Sequence, residues 1–489
     1  MWGRRRKIVI LTASEGHPMK WTIRVELTPD GNEPITYDIG TIMRPIADLA
    51  PEQIGLTLEE GHQLLRRVQV QMISSQAHTY ALCRRPCVDC GRPKPIKDTR
   101  TKCVQTVFGA FRFRGRRYRA CGCCDHPDGF RQDFPLGEII PRRTTPEVRY
   151  LFAELGAGMP YRAASRVLKT CGFGDMRASH MAIRRHTLEV GRELEAQRLD
   201  AACGQSPGNP GVAKSLVVGI DDAYVKHRER LTARQFQVTA GRVERNGKLG
   251  ARFAFVSSNS SWTASLFDGF LLQQGMKSST SMRVVTDGDD GLRNFVQRSS
   301  PRPMESQLDW FHIGMRLELL RKAVVMPTTY QEYLEDPHAF APIQRRVSRL
   351  RDALWRGRSW RALLEFAWLR RDIDQWVVEH PGRCVESVRR ARQVIKEFRQ
   401  YVCGNRRSVP DFAKQRAAGH RVSTAHVESV MNHLVNHRLS KKQQIRWSPE
   451  GAHYLLQVRA ELLNGTLIDG YRTANPRFRG PSGFSKAGA

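Results

Sequence analysis

Three carboxylates stand where side chains of that type could do chemistry together. Asp221 ends the apolar run Leu216-Val217-Val218-Gly219-Ile220, and Asp287 ends Met282-Arg283-Val284-Val285-Thr286. Glu428 lies far downstream in the helical stretch Val427-Glu428-Ser429-Val430-Met431-Asn432. Two strand-end carboxylates and a late helical glutamate suit two divalent ions. Such a pair, about 3.5–4 Å apart, activates a water and stabilises the leaving oxygen of a phosphodiester. Mg²⁺ takes hard oxygen ligands and keeps several waters, so two or three carboxylates suffice. Packed acids repel, and a cation relieves that repulsion. The order and context of the three point to DNA cleavage. The plainer reading makes them caps, turn residues or surface charge, and Asp287-Gly288-Asp289-Asp290-Gly291 is a natural turn.

Alternatives stand beside each. Asp222 follows Asp221, and either can be the ligand; Asp221 directly follows Ile220 and is favoured. Glu450 and Glu461 compete with Glu428. Glu450 sits after Ser448-Pro449 at a helix start, where a carboxylate complements the helix dipole. Glu428 has Asn432 one turn on, beside an apolar stripe of Val427, Met431 and Leu434. Asp309 and His312 follow the last strand candidate and have equal claims as site residues and as core or capping groups.

A second cluster is made of thiols. Among 11 cysteines, Cys87-Val88-Asp89-Cys90 is a C-x2-C knuckle and Cys121-Gly122-Cys123-Cys124 offers another. Thiolates at this spacing make a closed tetrahedral Zn²⁺ site. Cys87, Cys90, Cys121 and Cys124 are the expected ligands, with Cys123 an alternative to Cys124. Cys83 and Cys103 are not expected to bind. The segment Thr106–Arg114 alternates like a strand, so the knuckles read as a zinc ribbon.

Composition narrows the partner. Over 489 residues, Lys plus Arg is 79 and Asp plus Glu is 48, a net charge of +31. That excess points to a polyanion, because neutralised phosphates release condensed counterions. Hydrophobic content of 40% excludes a disordered basic tail, and no run of 18 apolar residues suggests a membrane span. The N-terminus carries too short an apolar stretch for a signal peptide. A cytoplasmic protein is expected. Arg112, Arg114, Arg116, Arg117 and Arg119 interleave with Phe111, Phe113 and Tyr118, a pattern for phosphate pairing and base stacking.

The elements that must position these groups follow from periodicity. Residues 1–82 read as a β element and a helix that starts at a Thr57/Glu60 capping box and buries Leu64, Val68 and Met72. The ribbon covers 83–135. Residues 144–200 hold three helices, with Thr145 as a cap and Ser179 opening the basic last one, resembling a helix-turn-helix with Arg184 and Arg185 outward. A linker at 204–213 leads to 214–325, where strands near 215–221, 234–241, 251–258, 282–287 and 305–309 mix with helices in an RNase H-like order. Residues 326–415 are helical and rich in Trp (Trp355, Trp360, Trp368, Trp376), an insertion whose Arg345, Arg346, Arg349, Arg356 and Arg358 track phosphate or pair internally. The second part of the α/β domain spans 416–470, and 471–489 reads as a disordered tail. The fold class is multidomain α+β.

Taken together, Gly219-Ile220-Asp221-Asp222-Ala223-Tyr224-Val225-Lys226, Val285-Thr286-Asp287-Gly288-Asp289, Leu308-Asp309-Trp310-Phe311-His312-Ile313 and the Glu428 helix resemble bacterial insertion-sequence transposases of the DDE superfamily. The ISL and ISKra type is most similar, and Arg446-Trp447-Ser448-Pro449-Glu450-Gly451-Ala452 adds to the likeness. The resemblance covers roughly residues 83–465. It implies metal-dependent cleavage and strand transfer at the ends of a mobile element, with Asp221, Asp287 and Glu428 as ligands of Mg²⁺ or Mn²⁺. It also implies double-stranded DNA as partner, a homo-oligomer on that DNA, and a place at the bacterial nucleoid. A non-catalytic DNA-binding regulator and an RNase H-like nuclease are the competing readings.

Overall fold

The computed structural model describes residues 18–28, 33–45, 50–121, 132–171, 176, 178–204, 211–228, 234–257, 261–299, 303–325, 341–382, 385–423, 425–439 and 446–480. The chain divides into two compact units, 1–186 with 475–483, and 187–474 with 484–489. Both mix helices with sheets. No described helix is long and apolar enough to cross a membrane.

The first unit opens with an antiparallel hairpin, β1 (Met19–Leu27) and β2 (Ile35–Arg44), in register from Met19↔Arg44 to Leu27↔Ile35. Helix α1 (Leu58–Cys83) follows. Its start is the expected capping box: Thr57 accepts the Glu60 amide and its own amide donates to the Glu60 carboxylate. Those bonds and the Arg44 guanidinium hold the Glu60 carboxyl down at about 2, with Arg44 the larger influence. The apolar face differs from expectation. Met72 is 47% exposed, while Ala77 and Ala81 are buried and Ile73 packs on the next sheet. Small side chains let the helix approach that sheet, so the stripe shifts toward the C-terminus.

That sheet is the hairpin β3 (Ile96–Thr106) and β4 (Gly109–Arg119), joined by the short β5 (Gln132–Asp133). The segment Thr106–Arg114 is therefore no single strand. The chain reverses at Val107-Phe108, where Gly109 takes a φ of +126° that a side chain would oppose. Along β4 the period of two sorts the residues as far as Arg116: Phe111 and Phe113 are buried, while Arg112, Arg114 and Arg116 are exposed. It then reverses opposite the irregularity at Ile96/Asp98, where Tyr118 is buried and Arg119 exposed. After α2 (Pro135–Ile139) come α3 (Pro146–Gly158) and α4 (Tyr161–Thr170), with α5 (His180–Ala202) beyond. Val148, Phe152, Ala164, Leu168 and Ile183 make their shared core. Thr145 precedes α3 in extended conformation, but Pro146, not a side-chain cap, defines its start. Residues 471–480, expected within a disordered tail, instead hold a helix end and a segment whose Phe478 ring meets Tyr150 at 5.3 Å. Residues 481–489 lie outside the described residues.

The second unit is built on one five-stranded mixed sheet. β6 (Ser215–Lys226), β7 (Gln235–Arg245) and β8 (Lys248–Val256) form an antiparallel meander. Helix α6 (Ser261–Gln273) then carries the chain to β9 (Ser281–Thr286), which lies parallel to β6, and α7 (Asp290–Ser299) leads to β10 (Met304–Leu308), parallel to β9. The order is β10-β9-β6-β7-β8. One core joins Leu216, Val218 and Ile220 to Phe267 and Phe270 of α6 and Leu292 and Val296 of α7. A second core binds α8 (Trp310–Val325), α9 (Ala341–Trp355), α10 (Ser359–Glu379) and α11 (Val385–Gly404) with the short α12 (Phe412–Ala417). The chain then returns through α13 (Ala425–Val430), a π-helical turn (Met431–Asn436) and α14 (His437–Leu439).

Helix α15 (Pro449–Asn464) closes the sheet's edge. The outward backbone groups of β8 would otherwise be open to another strand. Instead the Arg252 amide donates to Asn464, the Val256 amide to His453, and Gln457 donates to the Ala254 carbonyl. The segment before α15 has its own work. Trp447 bridges His227 at the end of β6, Arg438 lies over its ring at 5.2 Å, and Ser448 caps α15 by accepting the Gly451 amide. Helix α16 (Leu467–Ala474) ends the unit.

Candidate functional site

The parallel strands β6, β9 and β10 run in one direction. Asp287 and Asp309 directly follow the ends of β9 and β10, whereas Asp221, expected at a strand end, lies within β6, which continues to Lys226 because β7 still pairs with it. Gly219 of β6 pairs with Val285 of β9, two residues before Asp221 and Asp287 respectively. Leu308 of β10 pairs with Thr286, and the Asp309 amide donates to the Thr286 carbonyl at 2.9 Å. Asp221, Asp287 and Asp309 thus come to one edge of the sheet. In open α/β sheets ligands bind at this end of the parallel strands, and β6 has a parallel neighbour, β9, on one side and an antiparallel one, β7, on the other.

Asp221 responds to these surroundings. Burial pushes its carboxyl up, Asp287 and Asp309 add repulsion, and the Asp222 amide and His312 act against them. Asp222, one residue on, points to the other face. It accepts from Thr239 and Gln237 of β7, and burial pushes it up to about 6. The alternation of β6 therefore separates the two: Asp221 shares a site with Asp287, while Asp222 belongs to a buried polar group with Thr239, Gln237 and Ser257.

The loop carrying Asp287 is held from both sides. The Tyr401 hydroxyl donates to the Asp287 carbonyl at 2.7 Å. Burial drives the Tyr401 phenol up to about 12, so it stays protonated and keeps that bond at any ordinary pH. Arg316 lies over the Tyr401 ring at 4.0 Å. Gly288 has a φ of +99°, and a Cβ there would come within 2.9 Å of both Asn405 and Leu308. The Asp287 carboxylate also accepts the Asp289 amide at 2.9 Å, so it is a turn residue and a site residue at once. Asp309, fully buried, caps α8 by accepting the Phe311 amide, and His312 Nε2 lies 3.8 Å from its other oxygen.

Glu428 is placed differently. It is exposed on α13, which packs against β6 and β7, one turn before the π-helical segment. It makes no hydrogen bond or ion pair among the described residues. A π turn inside a helix is uncommon and recurs beside functional side chains. The rival glutamates are committed elsewhere: Glu450 accepts from Arg192 at 2.6 Å, and Glu461 pairs with buried Arg198 at 2.7 Å.

Among the described residues one set of three ligand atoms meets within 4.8 Å, and it is Cys87, Cys90 and Cys121. The carboxylates stand farther apart. Cys90 and Cys121 sulfurs are 3.5 Å apart, too far for a disulfide and close to the roughly 3.8 Å that tetrahedral Zn–S bonds of about 2.3 Å impose. The knuckle closes through Gly91 at φ +69°, whose amide donates to the Cys87 carbonyl. Three thiols so placed fit a thiophilic ion such as Zn²⁺. Cys123 and Cys124 lie outside the described residues.

The basic residues divide. Arg112, Arg114, Arg185 and Arg345 are exposed and Arg184 is half-buried. Arg117 is bound to Asp98 across the β3–β4 hairpin. Arg346 pairs with Asp372 at 2.8 Å and Glu365 at 3.6 Å beneath Trp368, so it serves the helical core. Sequence reading ranked Asp309 below the triad although it directly follows a strand end as Asp287 does. Tyr401 carried no signal, since its partner lies 114 residues away.

No family model matches the chain, and no curated protein is similar to it. Among solved structures, the Drosophila P element transposase strand transfer complex is similar at 12% identity, over 69% of this chain and 83% of that one, with a TM-score of 0.25. So faint a likeness carries no argument about this chain.

Proposed function

We propose that the chain is a DDE transposase that cleaves the ends of an insertion sequence and joins them to target DNA, with Asp221, Asp287 and Glu428 as its catalytic carboxylates. The observation that carries the reading is the meeting of Asp221, just beyond the stretch of β6 that pairs with β9, and Asp287, just beyond the end of β9, with Asp221 pushed toward its neutral form by burial and by its acidic neighbours. A carboxyl raised in this way, in a site of hard oxygen donors, fits a divalent cation better than a structural ion pair. The sheet supports the same reading: a three-strand meander followed by two parallel strands on the far side of its first strand is the RNase H-like order.

Asp221 and Asp287, with Glu428 brought from its exposed place on α13, would hold Mg²⁺ or Mn²⁺. Such ions supply Lewis acidity at the scissile phosphate and a water of lowered pKa. The chain's own groups do the rest. Tyr401 and Gly288 fix the Asp287 loop, Asp309 anchors the start of α8 beside it, and His312, with Nε2 3.8 Å from Asp309, offers a hydrogen bond to a phosphate. Cys87, Cys90 and Cys121, with Cys124 or Cys123, would hold Zn²⁺ as a structural clamp. Arg112, Arg114, Arg184, Arg185 and Arg345 contact double-stranded DNA, and the protein acts as a homo-oligomer on it.

The test is cleavage of duplexes bearing candidate element ends in Mg²⁺, with every nick mapped. Asp287→Asn is expected to abolish nicking and leave DNA affinity nearly unchanged. Full cleavage by that variant refutes the assignment.

A further inference from the structure

The helices α10 and α11 enclose a cleft of about 850 Å³ whose rim is strongly cationic. Four of its cations lie on α11: Arg389, Arg392, Lys396 and Arg399. They recur at i, i+3, i+7 and i+10, so they form one stripe along one helix face. Arg370 faces them from α10. The floor is apolar, with Phe366 and Ile395 buried beneath the rim. Two carboxylates answer these five cations. Asp374 pairs with Arg392 at 2.7 Å and Arg370 at 3.8 Å, and Glu386 pairs with Arg389 at 2.7 Å. Lys396 and Arg399 are exposed and make no ion pair among the described residues.

We propose that this cleft binds the phosphate backbone of one strand of duplex DNA, with Lys396 and Arg399 as its principal phosphate contacts. Ten residues of helix span roughly 15 Å. A strand of B-DNA carries one phosphate per about 3.4 Å of axis, with a longer path along the backbone itself, so the stripe is long enough to meet more than one consecutive phosphate. A recessed groove admits a backbone ridge, whereas a bilayer surface is flat. The apolar floor suits the sugar edges that follow the phosphates. The site differs from the arginines expected from sequence in this region, one of which, Arg346, is spent on Asp372 and Glu365. The proposal rests on the DNA-cutting reading only for the identity of the polyanion.

The test measures affinity of the full chain for a 30-base-pair duplex in chelator, from about 50 to 200 mM salt. Each phosphate contact contributes about 0.9 to the slope of log K against log salt. Lys396→Gln with Arg399→Gln is expected to flatten that slope by about 1.8. The native advantage over the double variant should then shrink roughly twelvefold across this fourfold salt range. Arg390→Gln, on the opposite face of α11, controls for bulk charge and is expected to leave the slope unchanged. Circular dichroism melts confirm that both variants fold. An unchanged slope in the folded double variant overturns the proposal. So does an effect of Arg390→Gln as large per residue, or a loss confined to anionic lipid vesicles. If the native chain binds duplex with the full slope yet never nicks element ends in Mg²⁺, the transposase reading fails and the cleft stands.

Discussion

Replacing Asp222 with Asn separates the two adjacent aspartates by a stability measurement. The Asp222 carboxyl is pushed up from 3.8 to about 6, first by burial and further by Asp221 and Asp289, against the bonds from Thr239 and Gln237. A carboxyl raised on folding binds its proton more tightly in the native state, so stability falls as pH rises from about 4 to 6 and is flat above. The difference of about 2 pH units corresponds to roughly 3 kcal/mol. Asn has the same shape, keeps the bond from Thr239, and pairs with Gln237 once that amide turns over. It carries no charge to desolvate. In chelator, Asp222→Asn should match the native chain near pH 4 and exceed it by up to about 3 kcal/mol at pH 7.5. Urea unfolding at four pH values reads this directly. A variant less stable than native at pH 7.5, or a difference that does not vary with pH, would show that Asp222 is charged and held in the fold by partners. Nicking by Asp222→Asn should persist, whereas Asp221→Asn should remove it.

Gly288→Ala should cost about 3 kcal/mol in thermal or urea unfolding, because a Cβ at φ +99° meets Asn405 and Leu308 at 2.9 Å; native stability would refute the packing argument. Removing Zn²⁺ with a strong chelator, or Cys90→Ser, should release one zinc per chain by metal analysis and weaken end-specific footprints. A chain that purifies without zinc and footprints normally counts against the thiol site.

Much of the sheet was legible because each strand carries a local signal. The apolar runs before Asp221 and Asp287 recur in β6 and β9, although β6 runs past Asp221 to Lys226 because β7 continues to pair with it. The capping box at Thr57 was equally local, since both partners lie within four residues. Where the reading slipped, a tertiary neighbour decided. Alternation from Thr106 to Arg114 survives a hairpin turn because both strands keep the period of two, so the reversal at Val107-Phe108 left the pattern intact. The buried face of α1 was set by the sheet it lies on, which admits Ala77 and Ala81 more closely than Met72. Arg346 looked like its neighbours Arg345 and Arg349 in one dimension, and only the facing helix supplied Asp372 and Glu365.

The candidate site shows the same division. Residue type and position after an apolar run singled out Asp221 and Asp287, because that pattern is written in neighbouring residues, although only Asp287 proves to follow a strand end. Which face Asp221 presents, that Asp309 joins it, and that Tyr401 reaches back to the Asp287 carbonyl depended on strand register and on helices packed from more than a hundred residues away. Burial, repulsion and hydrogen bonding act through distance in space, and a linear chain records that distance only after it has folded.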